Sequence, residues 1–329
     1  MKIAYLDLNE DDLIEDYSLT PNKYGGGRII AASLLDKLKD FFIYSNIKSF
    51  DNIDDNKKNQ CFSLDLNSRR AIKSGLPLKN YIKNADEYDI FFHHHADVFL
   101  NLENCKSQKQ AVWPVGWAET VHSKTKNILL FDPEVQATKY SEFAKIYKIV
   151  IGPRFEKFQE YKKEDFIFQC SRHCNEYQSI QLAQLCNKHN IKIYFAGPIV
   201  PGYELLNFID NKNSFYLGSI SQEIKIAFMK KSKFNAQLQT YPISATLTGK
   251  ECSSYGVSIM ASEIGGWKNY IKHGINGFFI RNENDFFNAW ENRDKIKQKD
   301  CYELGLEHSE ENMIALVIQS LTNILNNEN

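Results

Sequence analysis

Four stretches of the sequence combine residue types that can do chemistry. Tyr24-Gly25-Gly26-Gly27-Arg28 precedes an amphipathic segment starting near Ile29. Glycines there let backbone approach a ligand, and the amides at a helix start favour an anion or sugar oxygens. In Asp89-Ile90-Phe91-Phe92-His93-His94-His95 a buried-looking strand ends in three histidines. Strand alternation sends His93 and His95 to one face and His94 to the other, where imidazole can bond a hydroxyl or move a proton near neutral pH. Phe166-Ile167-Phe168-Gln169-Cys170-Ser171-Arg172 is an apolar run that delivers a guanidinium at its end, suited to forked bonds with phosphate. Finally, Ser244-Ala245-Thr246-Leu247-Thr248 turns into a helix whose amides can receive a diphosphate, and Glu251 follows about two turns along to accept from ribose hydroxyls.

Short β-branched or aromatic runs alternate with amphipathic segments along the chain, the pattern of parallel sheets with crossover helices. One series of strands is predicted at Lys2–Leu8, Phe41–Tyr44, Asp89–His93, Ala111–Val115, Asn127–Phe131 and Lys148–Ile151. A second is predicted at Phe166–Cys170, Ile191–Ala196, Ser214–Leu217, Phe234–Leu238, Val257–Ala261 and Gly277–Ile280. Gly152–Glu164 reads as an exposed connection between two doubly wound, Rossmann-like domains, 1–152 and 165–308, with 309–329 as a closing helix. Ligands of open parallel sheets bind beyond the carboxyl ends of the strands, so the expected site is a cleft between two facing domains. Asp51–Gln60 reads as a polar surface loop.

The chain has 329 residues, enough for two cores, and a formal net charge of −1 that supplies no global attraction for polyanions. No run reaches the roughly 18 apolar residues of a membrane span, and the N-terminus enters an apolar run bearing Asp7 at once, unlike a signal peptide. The expectation is a cytoplasmic protein. Lys, Asn and Ile are abundant, which suits an AT-rich and conceivably viral genome, hence a host cytoplasm. The seven cysteines lack the spacing of a zinc site, and no metal site is expected.

The ordered set Gly25-Gly26-Gly27, Arg172, Glu251, Gly256-Val257-Ser258-Ile259, Gly265-Gly266 and Gly274-Ile275-Asn276-Gly277 resembles the retaining GT-B glycosyltransferases of family 4. The resemblance implies an α/β GT-B fold and transfer of a sugar from a nucleoside-diphosphate donor, UDP-sugar favoured, to a hydroxyl, with retention and without a metal or other cofactor. It implies that Arg172 binds the donor diphosphate, that Glu251 binds the ribose, and that Gly26 and Gly27 lie on the phosphate or acceptor side. Ser244, Thr246, Leu247 and Thr248 complete the donor set, and His93 or His95 approaches the transferred sugar. Two positions depart from the pattern: Ile243 replaces the first glutamate of the Glu-x7-Glu motif, and the lysine that follows the arginine has no match, Tyr177 standing nearest.

On the acceptor side, Trp117 can stack on a sugar or a nucleobase while Glu119 or His122 orients an acceptor hydroxyl. Trp113 and Trp117 can equally be core aromatics. A saccharide or small molecule is the favoured acceptor. Lys157, Lys162, Lys163, Lys225, Lys230, Lys231 and Lys233 could instead form a basic rim for DNA, as in phage enzymes that glycosylate hydroxymethylated bases. Ile243 and the unmatched lysine also leave open a non-catalytic nucleotide-sugar or glycan-binding protein.

Overall fold

The computed structural model describes residues 1–8, 26–45, 55–95, 97–114, 121–131, 140–242 and 245–326. The chain divides into two compact units, Met1–Val150 with Met313–Asn329, and Ile151–Asn312.

The first unit runs β1 (Ile3–Leu6), α1 (Gly26–Lys37), β2 (Phe41–Ser45), α2 (Asp55–Lys58), β3 (Cys61–Ser63), α3 (Leu66–Lys73), β4 (Ile90–His93), β5 (Gln110–Val112), β6 (Asn127–Phe131) and β7 (Lys145–Ile149). Its seven described strands lie in the order β3-β2-β1-β4-β5-β6-β7, every pairing parallel. All four residues of β1 and of β4 are buried, as central strands covered on both faces require. Ala4, Leu6 and Phe91 pack with Ile72, Leu78 and Leu100. Trp113 is wholly buried and stacks on Phe92, making it a core aromatic.

The second unit runs β8 (Glu164–Cys170), α4 (Ser179–His189), β9 (Lys192–Ala196), β10 (Ser214–Tyr216), α5 (Gln222–Lys231), β11 (Ser232–Gln237), α6 (Leu247–Ser254), β12 (Ser258–Ala261), α7 (Trp267–Tyr270), β13 (Gly277–Phe279), α8 (Glu283–Glu291) and α9 (Gln298–Leu306). Six described strands pair in parallel as β10-β9-β8-β11-β12-β13. In both sheets the order reverses beside the first strand, which leaves a crevice at the carboxyl ends of β1 and β4 and another at those of β8 and β11. The last helix, α10 (Glu310–Asn326), buries Met313, Ile314, Val317, Leu321 and Ile324.

Three expectations need correction. Gly152–Glu164 is not simply exposed: Phe155 and Phe158 pack on Tyr302, and Gln298 exchanges two hydrogen bonds with the backbone of Tyr161. Within Asp51–Gln60, the residues 55–58 form α2 and Gln60 is buried, its amide donating to the carbonyls of Leu38, Lys39 and Phe41. The edge strand β3, three residues long, was not anticipated.

Candidate functional site

The second unit gathers most of the expected donor residues. Arg172 follows β8, is exposed, and its guanidinium makes no hydrogen bond or ion pair among the described residues. Its loop is held by close backbone approach: Gly197 has φ +119°, and a Cβ there would lie 2.0 Å from the Ser171 carbonyl oxygen. Across the crevice, Thr246 caps α6 by accepting from the Gly249 amide at 3.2 Å, while its hydroxyl donates to Gln237 Oε1 at 3.0 Å. The Thr246 side chain is thereby committed to the helix. The amides of Leu247 and Thr248 make no hydrogen bond among the described residues and so remain to meet a ligand. Gly249 lets α6 lie against Trp267, whose ring would be 2.4 Å from an added Cβ.

Two further bonds stitch the loops on either side of this crevice together. Thr240 donates its amide to the Glu176 carbonyl at 3.1 Å, and Gln178 Nε2 donates to the Gln239 carbonyl at 3.1 Å. Beneath them β11 carries Asn235 and Gln237, with Gln239 just beyond, on alternate positions and nearly or wholly buried, while Phe234, Ala236 and Leu238 join the core on the opposite face. In the sequence that ladder shows as a polar residue at every second position of an apolar strand, a signal not used in the reading of the site above. Its members brace one another: Asn235 donates to the Phe168 carbonyl and accepts from Gln237, which in turn accepts from Thr246. Glu251, facing the same end of the unit, pairs with Lys225 at 2.9 Å. Burial pushes the Cys170 thiol up to about 11, so it remains protonated and is no nucleophile at neutral pH.

The first unit's crevice differs. His93 is buried within β4, and burial lowers its pKa to about 3, so it stays neutral. The alternation expected for the three histidines fails, because the strand ends at His93. Beyond it the rings of His94 and His95 lie 4.2 Å apart and both adjoin Asp7. Tyr5 Oη meets His94 Nδ1 at 2.6 Å, and the Leu8 amide donates to His95 Nε2 at 2.9 Å. Asp7, His94 and His95 bring potential ligand atoms within 4.8 Å of one another, and among the described residues no other such grouping occurs. Because Leu8 occupies the lone pair of His95 Nε2, the neutral ring carries its proton on Nδ1. A metal would have to break that bond, so the arrangement suits a hydrogen-bonded cluster better than a metal centre.

Gly26 and Gly27 form the first turn of α1. His122 stacks on Phe99 and accepts from the Lys124 amide in the turn leading into β6. Trp117, Glu119, Ile243 and Ser244 lie outside the described residues. The lysines considered as a basic rim are largely engaged: Lys231 pairs with Glu164, Lys233 with Asp294, and Lys163 donates to the carbonyls of Lys230 and Tyr255.

No protein-family model and no curated protein matches the chain. Solved structures do. A glycosyltransferase from Rickettsia africae is 14% identical, with a TM-score of 0.74 and 99% of each chain covered. AviGT4, a glycosyltransferase involved in avilamycin A biosynthesis, is 11% identical, with a TM-score of 0.67 over 99% of this chain and 98% of that one. Anabaena Alr3699/HepE in complex with UDP-glucose is 12% identical, with a TM-score of 0.64 over 98% of this chain and 100% of that one. At such identities the likeness is one of fold, and the fold is the expected one: α/β, GT-B, with two doubly wound Rossmann-like units. Among the described residues no helix is long and apolar enough to cross a membrane.

Proposed function

We propose that the chain is a glycosyltransferase that moves a sugar from a nucleoside-diphosphate donor to a hydroxyl of a saccharide or small molecule, with retention and without a metal. The observation that carries this reading is the pairing, across one crevice, of the unengaged Arg172 guanidinium with the two open amides at the head of α6. Departure of a nucleoside diphosphate leaves negative charge on its outer phosphate. A guanidinium and fixed N–H dipoles stabilise that charge without reorganising. The leaving phosphate can then take the acceptor's proton, so no dedicated nucleophile is needed. The UDP-glucose complex of the Anabaena protein, which shares the fold, supports a UDP-sugar as donor.

Ile243, standing where the resemblance would place a carboxylate, favours one second reading, a protein that binds a nucleotide-sugar without turning it over. A DNA acceptor has less support, since four of the seven lysines that suggested it, Lys163, Lys225, Lys231 and Lys233, are paired with carboxylates or carbonyls. A mass-spectrometric screen of nucleotide-sugar donors against mixed acceptors tests the proposal. The expected result is a glycosylated product with the purified protein and none with Arg172→Ala. Tight donor binding with no product from any acceptor would favour the binding-only reading.

A further inference from the structure

Glu251 is not left to find its own orientation on α6. Its Oε2 accepts from Nζ of Lys225 at 2.9 Å, the lysine side chain being 9% exposed and the glutamate 23%. Lys225 lies near the start of α5, a helix packed against β8 and β11, the two strands that flank the crevice. A lysine on a surface helix ordinarily keeps its ammonium in water, and burying it is unfavourable unless a carboxylate meets it. Here it is buried at the side of the one glutamate that the sequence motif assigns to a nucleotide. An ionised carboxylate has about four acceptor directions. Lys225 takes one on Oε2, and the glutamate side chain, 23% exposed, keeps further acceptor directions for a ligand. A long side chain fixed beforehand loses less rotamer freedom when a ligand arrives.

We propose that Lys225 is a positioning residue: it holds Glu251 so that the remaining carboxylate oxygen accepts from the ribose hydroxyls, which makes the site selective for ribonucleoside over 2′-deoxyribonucleoside diphosphates. This rests on the reading that the head of α6 receives the nucleotide. Phosphate contacts, by contrast, come from Arg172 and the α6 amides, and they are indifferent to the sugar.

Calorimetric titration of UDP, GDP and their 2′-deoxy forms into the full chain tests it, beside Lys225→Met, Lys225→Arg and Glu251→Gln. Wild type should prefer the ribonucleotide by roughly tenfold to a hundredfold, the range for a hydrogen bond to a charged group. Lys225→Met should bring the ratio near one while deoxynucleotide affinity stays within about threefold, and Lys225→Arg should restore most of the preference. Should Lys225→Met fail to melt cooperatively, Lys225→Gln is used and the same collapse of the ratio is expected. A folded variant that keeps the full wild-type ratio overturns the role of Lys225 and leaves the nucleotide reading intact. Failure of wild type to bind any of the four nucleotides overturns the nucleotide reading, and this inference falls with it.

Discussion

The two units share a strand order, yet their crevices are furnished in opposite ways. In the first, the polar side chains at the carboxyl ends of β1 and β4 turn toward one another: Tyr5 meets His94, Leu8 meets His95, and Ser45 donates to the buried Asp7. In the second, the internal bonds stop short. Thr246, Gln237 and Asn235 are spent on bracing α6, while Arg172 and two helix amides are left to face outward. Topology provides the crevice, and the distribution of satisfied and unsatisfied donors decides which one is fitted to an anion.

The largest expected effect is common to both units and tests whether each keeps a neutral interior beside its crevice. Burial lowers His93 to about 3 and His173 to about 4. Both stay uncharged when folded, whereas in the unfolded chain they take up protons below about 6.5. Stability is therefore full above that value and falls as the pH drops, by about 1.4 kcal/mol per pH unit for each histidine. The loss should reach roughly 5 kcal/mol by pH 4.5. Denaturant unfolding between pH 7.5 and 4.5 measures it, and a flat profile would contradict the burial of both rings.

Next in size, Arg172→Ala should weaken UDP binding by roughly tenfold to a hundredfold, the value of a charge-assisted bond. Asp7→Asn in the other crevice should leave that affinity within about twofold, because Asp7 is buried among protein partners. Equal losses in the two variants would erase the distinction drawn here. The smallest effect separates caps of the same strength. Asp65 caps α3 at 2.9 Å and Thr246 caps α6 at 3.2 Å. Replacing either by alanine should cost about 1 kcal/mol in thermal or denaturant unfolding. Only Thr246→Ala should also lower nucleotide affinity.

Most of the sheet framework was readable from the chain, because central parallel strands are continuous apolar runs and few other elements look like them. The edges were harder. β3 offers only Cys61, Phe62 and Ser63, and β7 begins at Lys145, three residues before the apolar end that marked it, since an edge strand can carry exposed lysines. The histidine run misled because alternation holds only while a strand lasts. Arg172 was visible because it follows a strand directly, and the head of α6 because a run of small residues leads into the helix. The Lys225–Glu251 pair was not, since it joins residues 26 positions apart on two helices through a contact made only in the folded unit.

The commitment of Thr246 to its own helix has an evolutionary consequence. Main-chain amides come with every residue except proline, so a phosphate cradle built from them can persist while side chains around it drift. What the sequence must keep for this cradle is small: the cap at Thr246 and the glycine that lets α6 lie against Trp267.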